Sequence, residues 1–226
     1  MAVLELLDVV KEYPLSEGGR HRVLDVAAFS LEAGQQAALE GPSGSGKTTF
    51  LNCCAGVLRP DRGRVFLDGH ELSRLSENEA DAVRARRLGY VFQTFNLLQG
   101  LSALENVALA MRFGGGYDAS RARHLLERVG LLGKAGHTPA QLSAGQQQRV
   151  AVARALANRP AVVLADEPTG NLDQGAARVA LALLKEACAE SGAALLVVSH
   201  DPQVLATFSV RHRLAEFNAA ASAGLA

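Results

Sequence analysis

Gly41-Pro42-Ser43-Gly44-Ser45-Gly46-Lys47-Thr48 is the stretch that decides the fold. It matches the pattern G-x-x-x-x-G-K-[ST]. Residues 37–40 before it read as a short strand, and helical propensity resumes at Lys47–Ala55. A small-residue loop between strand and helix lets successive backbone N–H groups curl around phosphate oxygens, and the helix adds the positive end of its dipole. Gly41, Ser43, Gly44, Ser45 and Gly46 supply that loop, and Thr49 continues the phosphate-binding run. Lys47 supplies a point charge to the β- and γ-phosphates, and the Thr48 hydroxyl is a candidate ligand for Mg²⁺. By itself the loop indicates a nucleoside triphosphatase or a kinase.

Further along, Val162-Val163-Leu164-Ala165-Asp166-Glu167 reads as a buried strand ending in two acids. Such a strand delivers its last residues to the C-terminal edge of the sheet, where open α/β sheets bind ligands. Asp166 is then a candidate to hold Mg²⁺, and Glu167 a candidate to take a proton from an attacking water.

The rest of the chain fits a single globular domain. It has 226 residues, 48% hydrophobic and 20% charged, with 23 basic and 23 acidic side chains. A net charge of zero offers no footprint for nucleic acid, and no nucleic-acid partner is expected. No apolar run reaches the roughly 18 residues needed to span a bilayer. Glu5 and Asp8 stand where a signal peptide would carry basic residues, which reads against one. Cys53, Cys54 and Cys188 lack metal-site spacing and read as buried, reduced thiols.

Strands are expected at 3–10, 22–40 and 64–69, with a polar turn at residues 16–20 between the first two. Ser76-x-x-Glu79, Ser102-x-x-Glu105 and Ser143-x-x-Gln146 are capping-box patterns, each opening a helix. Asp118 caps another that Gly130 ends. A helix is expected at about 176–191, with Val179, Leu183, Leu184 and Ala187 on one face. It is followed by a strand at 193–199 and a helix opened by Asp201-Pro202. Apolar strands alternating with helices argue for a parallel sheet covered on both faces. The stretch 70–158 is mostly helical and reads as an insertion. The core lobe is placed at about 1–93 and 159–210, and the helical lobe at about 94–158. The small-residue tail at 218–226 is expected to be disordered.

Taken together these motifs resemble the nucleotide-binding subunits of ABC transporters. Leu142-Ser143-Ala144-Gly145-Gln146 looks like the ABC signature, about 20 residues before the acidic pair. Gln93 in Phe92-Gln93-Thr94 is similar to the Q-loop, Asn171-Leu172-Asp173 to the D-loop, and His200 to the switch histidine. Tyr13 stands where the family keeps an aromatic residue against adenine, although a packed turn aromatic would look the same. The resemblance covers about residues 3–208, with every motif in order. It implies the ABC ATPase fold: an α/β phosphate-loop core with a mostly parallel sheet, an N-terminal antiparallel β subdomain and an inserted α-helical subdomain.

It further implies that ATP and Mg²⁺ are bound between two copies of the chain. Each phosphate loop would face Ser143, Gly145 and Gln146 of the other copy, and Asp173 would couple the two sites. Gln93 would contact Mg²⁺ and the attacking water, Glu167 would act as base, and His200 would bind the γ-phosphate. The ATPase would sit at the cytoplasmic face of a membrane, with an integral permease subunit docked on the helical lobe around residues 94–137. Glu167–Asp173, Phe92–Leu98 and Leu104–Val107 are most similar to the lipoprotein-releasing and macrolide-exporter branch. A coupling protein with weak turnover, whose output is assembly or signalling at the membrane, is the alternative. Two departures stand out. Ala144 replaces the first signature glycine, tolerable if its backbone is α-helical and costly if φ is positive. Residues 210–217 lack the Asp-Gly hairpin with which the family usually continues.

Overall fold

The computed structural model describes residues 1–16 and 18–222. Two sheets organise it. β1 (Ala2–Pro14) and β2 (Arg20–Glu32) form a long antiparallel hairpin whose turn includes Glu17, outside the described residues. β4 (Arg62–Leu67) and β5 (His70–Glu71) complete a four-stranded sheet in the order β2-β1-β4-β5. The expected strand at 22–40 is two strands. Gly34, at φ 70°, turns the chain out of β2 and into β3 (Gln36–Glu40), which belongs to the other sheet.

That second sheet has five parallel strands in the order β6-β7-β8-β3-β9: β6 (Leu88–Val91), β7 (Val162–Asp166), β8 (Ala194–Ser199) and β9 (Val210–Arg213) beside β3. In β7 the side chains alternate between two cores. Val163 and Ala165 face one, Val162 and Leu164 the other, and all four are fully buried. Burial on both faces is why β7 reads as a continuous apolar run.

The first core lies under α3 (Ala103–Gly114), α4 (Ala119–Arg128), α5 (Ala144–Ala155) and α6 (Gln174–Ser191). The second lies between the two sheets around α1 (Lys47–Cys54), with Phe50 and Leu51 at its centre. It also contains Cys53 and Cys54, while Cys188 lies in the first. All three thiols are free, and burial pushes Cys53 and Cys188 up to about 12. Residues 94–158 carry α3–α5 and, among the described residues, no strand. α2 (Glu77–Arg87), α3 and α5 all open with the capping boxes legible in the sequence.

Three expectations need correction. α6 buries Ala180, Leu181, Leu184 and Cys188, whereas Val179 is 51% exposed. The buried stripe is rotated about one residue from the expected one, so Leu183 and Ala187 pack at its margin. β6 was not expected as a strand. Its Gly89 weakens the β signal, yet a Cβ there would meet the Ala155 carbonyl oxygen at 2.4 Å, so the close approach of α5 requires it. Finally, the start of the tail is ordered. After α7 (Pro202–Leu205) and β9 come α8 (Leu214–Phe217) and α9 (Ala219–Ser222), with Asn218 fully buried between them. Asn218 is held by hydrogen bonds to β2, which a reading of its small-residue neighbours did not anticipate. Residues 223–226 lie outside the described residues.

Candidate functional site

Three adjacent parallel strands, β3, β8 and β7, end at one edge of the sheet. β3 leads into the loop at 41–46, β8 delivers His200, and β7 delivers Asp166 and Glu167. These ends border a cleft of about 780 Å³. Ser43, Gly44, Gly46, Lys47, Thr48 and Thr49 line one side, and Gln93, Asp166, Glu167 and His200 the other.

The loop geometry depends on its glycines at two points. Gly46 has φ 95°, and a Cβ on it would meet Val23 Cγ1 at 2.9 Å. A Cβ on Gly41 would meet Ser45 Oγ at 2.8 Å. Lys47 Nζ folds back to donate to the Gly41 and Pro42 carbonyl oxygens, each at 2.7 Å. α1 has no side-chain cap and no acidic residue in its first turn. Its leading N–H groups and dipole are therefore left for an anion.

Thr48 Oγ1 donates to Asp166 Oδ2 at 2.9 Å. Burial holds the Asp166 carboxyl above its ordinary range, with the Thr48 hydrogen bond opposing, Glu167 adding to the rise and Lys47 reducing it. This hydroxyl and carboxylate, both hard oxygen donors beside a phosphate-binding loop, fit Mg²⁺, which typically takes few protein ligands and completes its shell with water and phosphate.

Glu167 sits in the left-handed region at φ 44°, a strained choice for a side chain of its size. Its nearly buried carboxylate accepts from Ser199 Oγ and the His200 backbone N–H, each at 3.1 Å, and its Oε1 lies 2.6 Å from His200 Nδ1. Asp166 and Glu167 thus take different partners although adjacent in sequence. The Gln93 carbonyl oxygen accepts from Asn171 Nδ2 at 2.7 Å, tying the strand end to the segment after Glu167. Beyond Gln93, Phe95 and Asn96 both have positive φ, and the Arg154 guanidinium of α5 donates to both their carbonyl oxygens.

Seven expected site residues do not line the cleft: Gly41 and Ser45 lie within the loop itself, and the other five stand on other elements. Ser143 caps α5, accepting from Gln146 N at 3.3 Å, while Gln146 Oε1 accepts from Ser143 N at 3.0 Å. Asp173 caps α6 by accepting from Ala176 N at 2.9 Å, and a Cβ on Gly145 would meet Ala176 Cβ at 3.0 Å. Signature and D-loop residues are therefore neighbours on a separate surface. Ala144 is the first residue of α5 and is not among the positive-φ positions, so its methyl carries no backbone strain. Tyr13 lies opposite His21 in the β1–β2 hairpin, 39% exposed, with Lys11 Nζ 5.9 Å from its ring centre. His21 and Val23 line the cleft in its place. Sequence reasoning missed both, and only the alternation of β2 could have pointed to them.

A phosphate loop opening a helix after a parallel strand, with an acid on a nearby strand bonded to the loop threonine, defines a P-loop nucleoside triphosphatase. The family model described as ABC transporter matches residues 24–170, well over half of the chain. An uncharacterized ABC transporter ATP-binding protein of Thermotoga maritima is 45% identical, covering 90% of this chain and 87% of that one. The lipoprotein-releasing system ATP-binding protein LolD of Saccharophagus degradans is 43% identical, covering 94% of each. The dimeric, post-hydrolysis ATP-binding cassette MJ0796 bound to ADP and Pi superposes with a TM-score of 0.84, at 37% identity and 93% coverage of each chain. The chain belongs to the ABC transporter family, as an ATP-binding subunit with ATPase activity.

Proposed function

We propose that this subunit hydrolyses MgATP at the interface of a head-to-tail homodimer and thereby drives a separate membrane permease of the lipoprotein-releasing or macrolide-exporter kind. The observation that carries the reading is the division of the motifs between two surfaces. Lys47, Thr48, Asp166, Glu167 and His200 share one cleft, whereas Ser143, Gly145 and Asp173 lie outside it. Residues that must meet one nucleotide, yet are apart in one chain, meet in an isologous dimer in which each copy completes the other's site. The dimeric form of the MJ0796 cassette supports the same assembly.

In this reading Lys47 and the loop N–H groups hold the phosphates of ATP. Thr48 and Asp166, with Gln93, would hold Mg²⁺, which would supply neutralisation of the phosphate charge. Glu167 accepts the proton of the attacking water, and His200, bonded to Glu167, turns to the γ-phosphate. Ser143 and Gly145 of the second copy close over that phosphate, and loss of the bridge after hydrolysis reopens the dimer. Tyr13, beside His21, is assigned to the adenine end. The permease docks on the helical lobe, where Leu98 (51% exposed) and Phe113 (71% exposed) offer apolar area. Among the described residues no helix is long and apolar enough to cross a membrane. The subunit then works against the cytoplasmic face.

Glu167→Gln tests the reading. Turnover is expected to fall about a hundredfold or more, with ATP affinity retained and a dimer trapped by ATP on size exclusion. Parental turnover in this variant would remove Glu167 from the role of base.

A further inference from the structure

β2 is the outer strand of the antiparallel sheet, so among the described residues one of its edges has no neighbouring strand of the sheet. At the point where β2 meets the nucleotide cleft, that edge is met by the C-terminal segment. Asn218 Oδ1 accepts from the Asp25 N–H at 2.7 Å, and Asn218 Nδ2 donates to the Val23 carbonyl oxygen at 3.0 Å. One side-chain amide thus behaves as a short strand, and Asn218 also forms an antiparallel bridge with Val26. The residue is fully buried, and its own N–H donates to Leu214 at 2.9 Å. Its neighbour Phe217 packs 5.2 Å from Phe29 of β2 and 5.4 Å from Phe50 of α1, measured between ring centres.

Val23 is the link to the site. Its side chain lines the cleft, and Gly46 approaches so closely that a Cβ there would lie 2.9 Å from Val23 Cγ1 and 3.3 Å from the Val23 oxygen. The peptide that Asn218 holds from outside is therefore the one on which the phosphate loop rests. We propose that Asn218 is a positioning residue for ATP: its amide fixes β2 at Val23–Asp25 and so sets the wall against which Gly46 and the loop are held. The segment after β9, where the family's usual hairpin is missing, acts as a latch on the cleft. A displaced wall lets the loop relax, which weakens phosphate binding before it affects the chemical step.

The proposal rests on the cleft being the ATP site, and the test separates the two. ATP affinity by calorimetry without Mg²⁺, turnover at saturating MgATP, and melting temperature are measured for the parent, Asn218→Ala, Asn218→Leu and Lys47→Ala. Asn218→Ala should weaken ATP binding about tenfold, through loss of two buried hydrogen bonds, with saturated turnover within about twofold. Asn218→Leu has a similar branched shape but can neither accept from Asp25 nor donate to Val23, and should weaken binding about tenfold as well. Parental affinity in both Asn218 variants, with only a lower melting temperature or lower turnover, overturns the latch. Should the alanine variant not fold, parental affinity in the leucine variant overturns it alone. Parental affinity in Lys47→Ala overturns instead the reading of the cleft.

Discussion

α1 and α5 both open at a motif residue, α1 after Gly46 of the phosphate loop and α5 at Ser143, yet their ends are finished differently. α1 starts from Gly46 in the left-handed region, with no side chain satisfying its first N–H groups. α5 starts from Ser143, whose hydroxyl and the Gln146 carboxamide satisfy each other's backbone N–H groups in a closed capping box. The open end has a strong claim on phosphate without help. The closed end already holds internal hydrogen bonds and must exchange part of them for a ligand, so its affinity for an isolated anion is low. Under the proposed shared-site dimer the difference implies an order of events: ATP would bind first to the phosphate loop of one chain, and the second surface would join when another copy brings it to a phosphate already held.

The sharpest way to break this comparison is at the open end. Lys47→Ala removes charge-assisted contacts and should weaken ATP binding about ten- to hundredfold; calorimetry on the isolated chain reads it, and unchanged affinity would refute the strong-site assignment. Next in size, Ser143→Arg should leave single-chain ATP affinity at the parental value while lowering ATPase about tenfold or more by misplacing the closing surface. Full activity in that variant would mean the sites are not shared. The smallest effect is expected from Ala144→Gly, which restores the usual signature residue. Because Ala144 is already helical, turnover and ATP-driven dimerisation should change by no more than about twofold. A large gain would instead show that the methyl group hinders closure.

The sequence was most informative where structure is local. Capping boxes are encoded within four residues, so Ser76, Ser102 and Ser143 opened helices as read. The phosphate loop and β7 were equally legible, since steric demands on the one and two-sided burial of the other leave narrow compositions. Legibility failed where distant segments decide the outcome. Gly89 is needed because Ala155 approaches it, and only the packed fold reveals that the surrounding four residues form a strand. Asn218 sits among alanines, and its order derives from backbone groups about 190 residues earlier. His21 and Val23 bear no signature, because a cleft wall needs shape more than chemistry. The helix face at Val179 was misjudged by one residue, an error that small uniform side chains invite: alanines at 176, 177 and 180 leave the apolar stripe of α6 ill defined.

The grip of Arg154 on Phe95 and Asn96 has a mechanical consequence. Two successive left-handed residues would ordinarily be a soft joint, free to relax toward commoner backbone angles at a gain of about 1 kcal/mol or more each. Clamped by a guanidinium that itself belongs to α5, the joint becomes a rigid strut between the helical lobe and Gln93. A rotation of α5 would therefore carry the carbonyls of Phe95 and Asn96 with it, and with them the chain that leads back to Gln93 at the cleft edge.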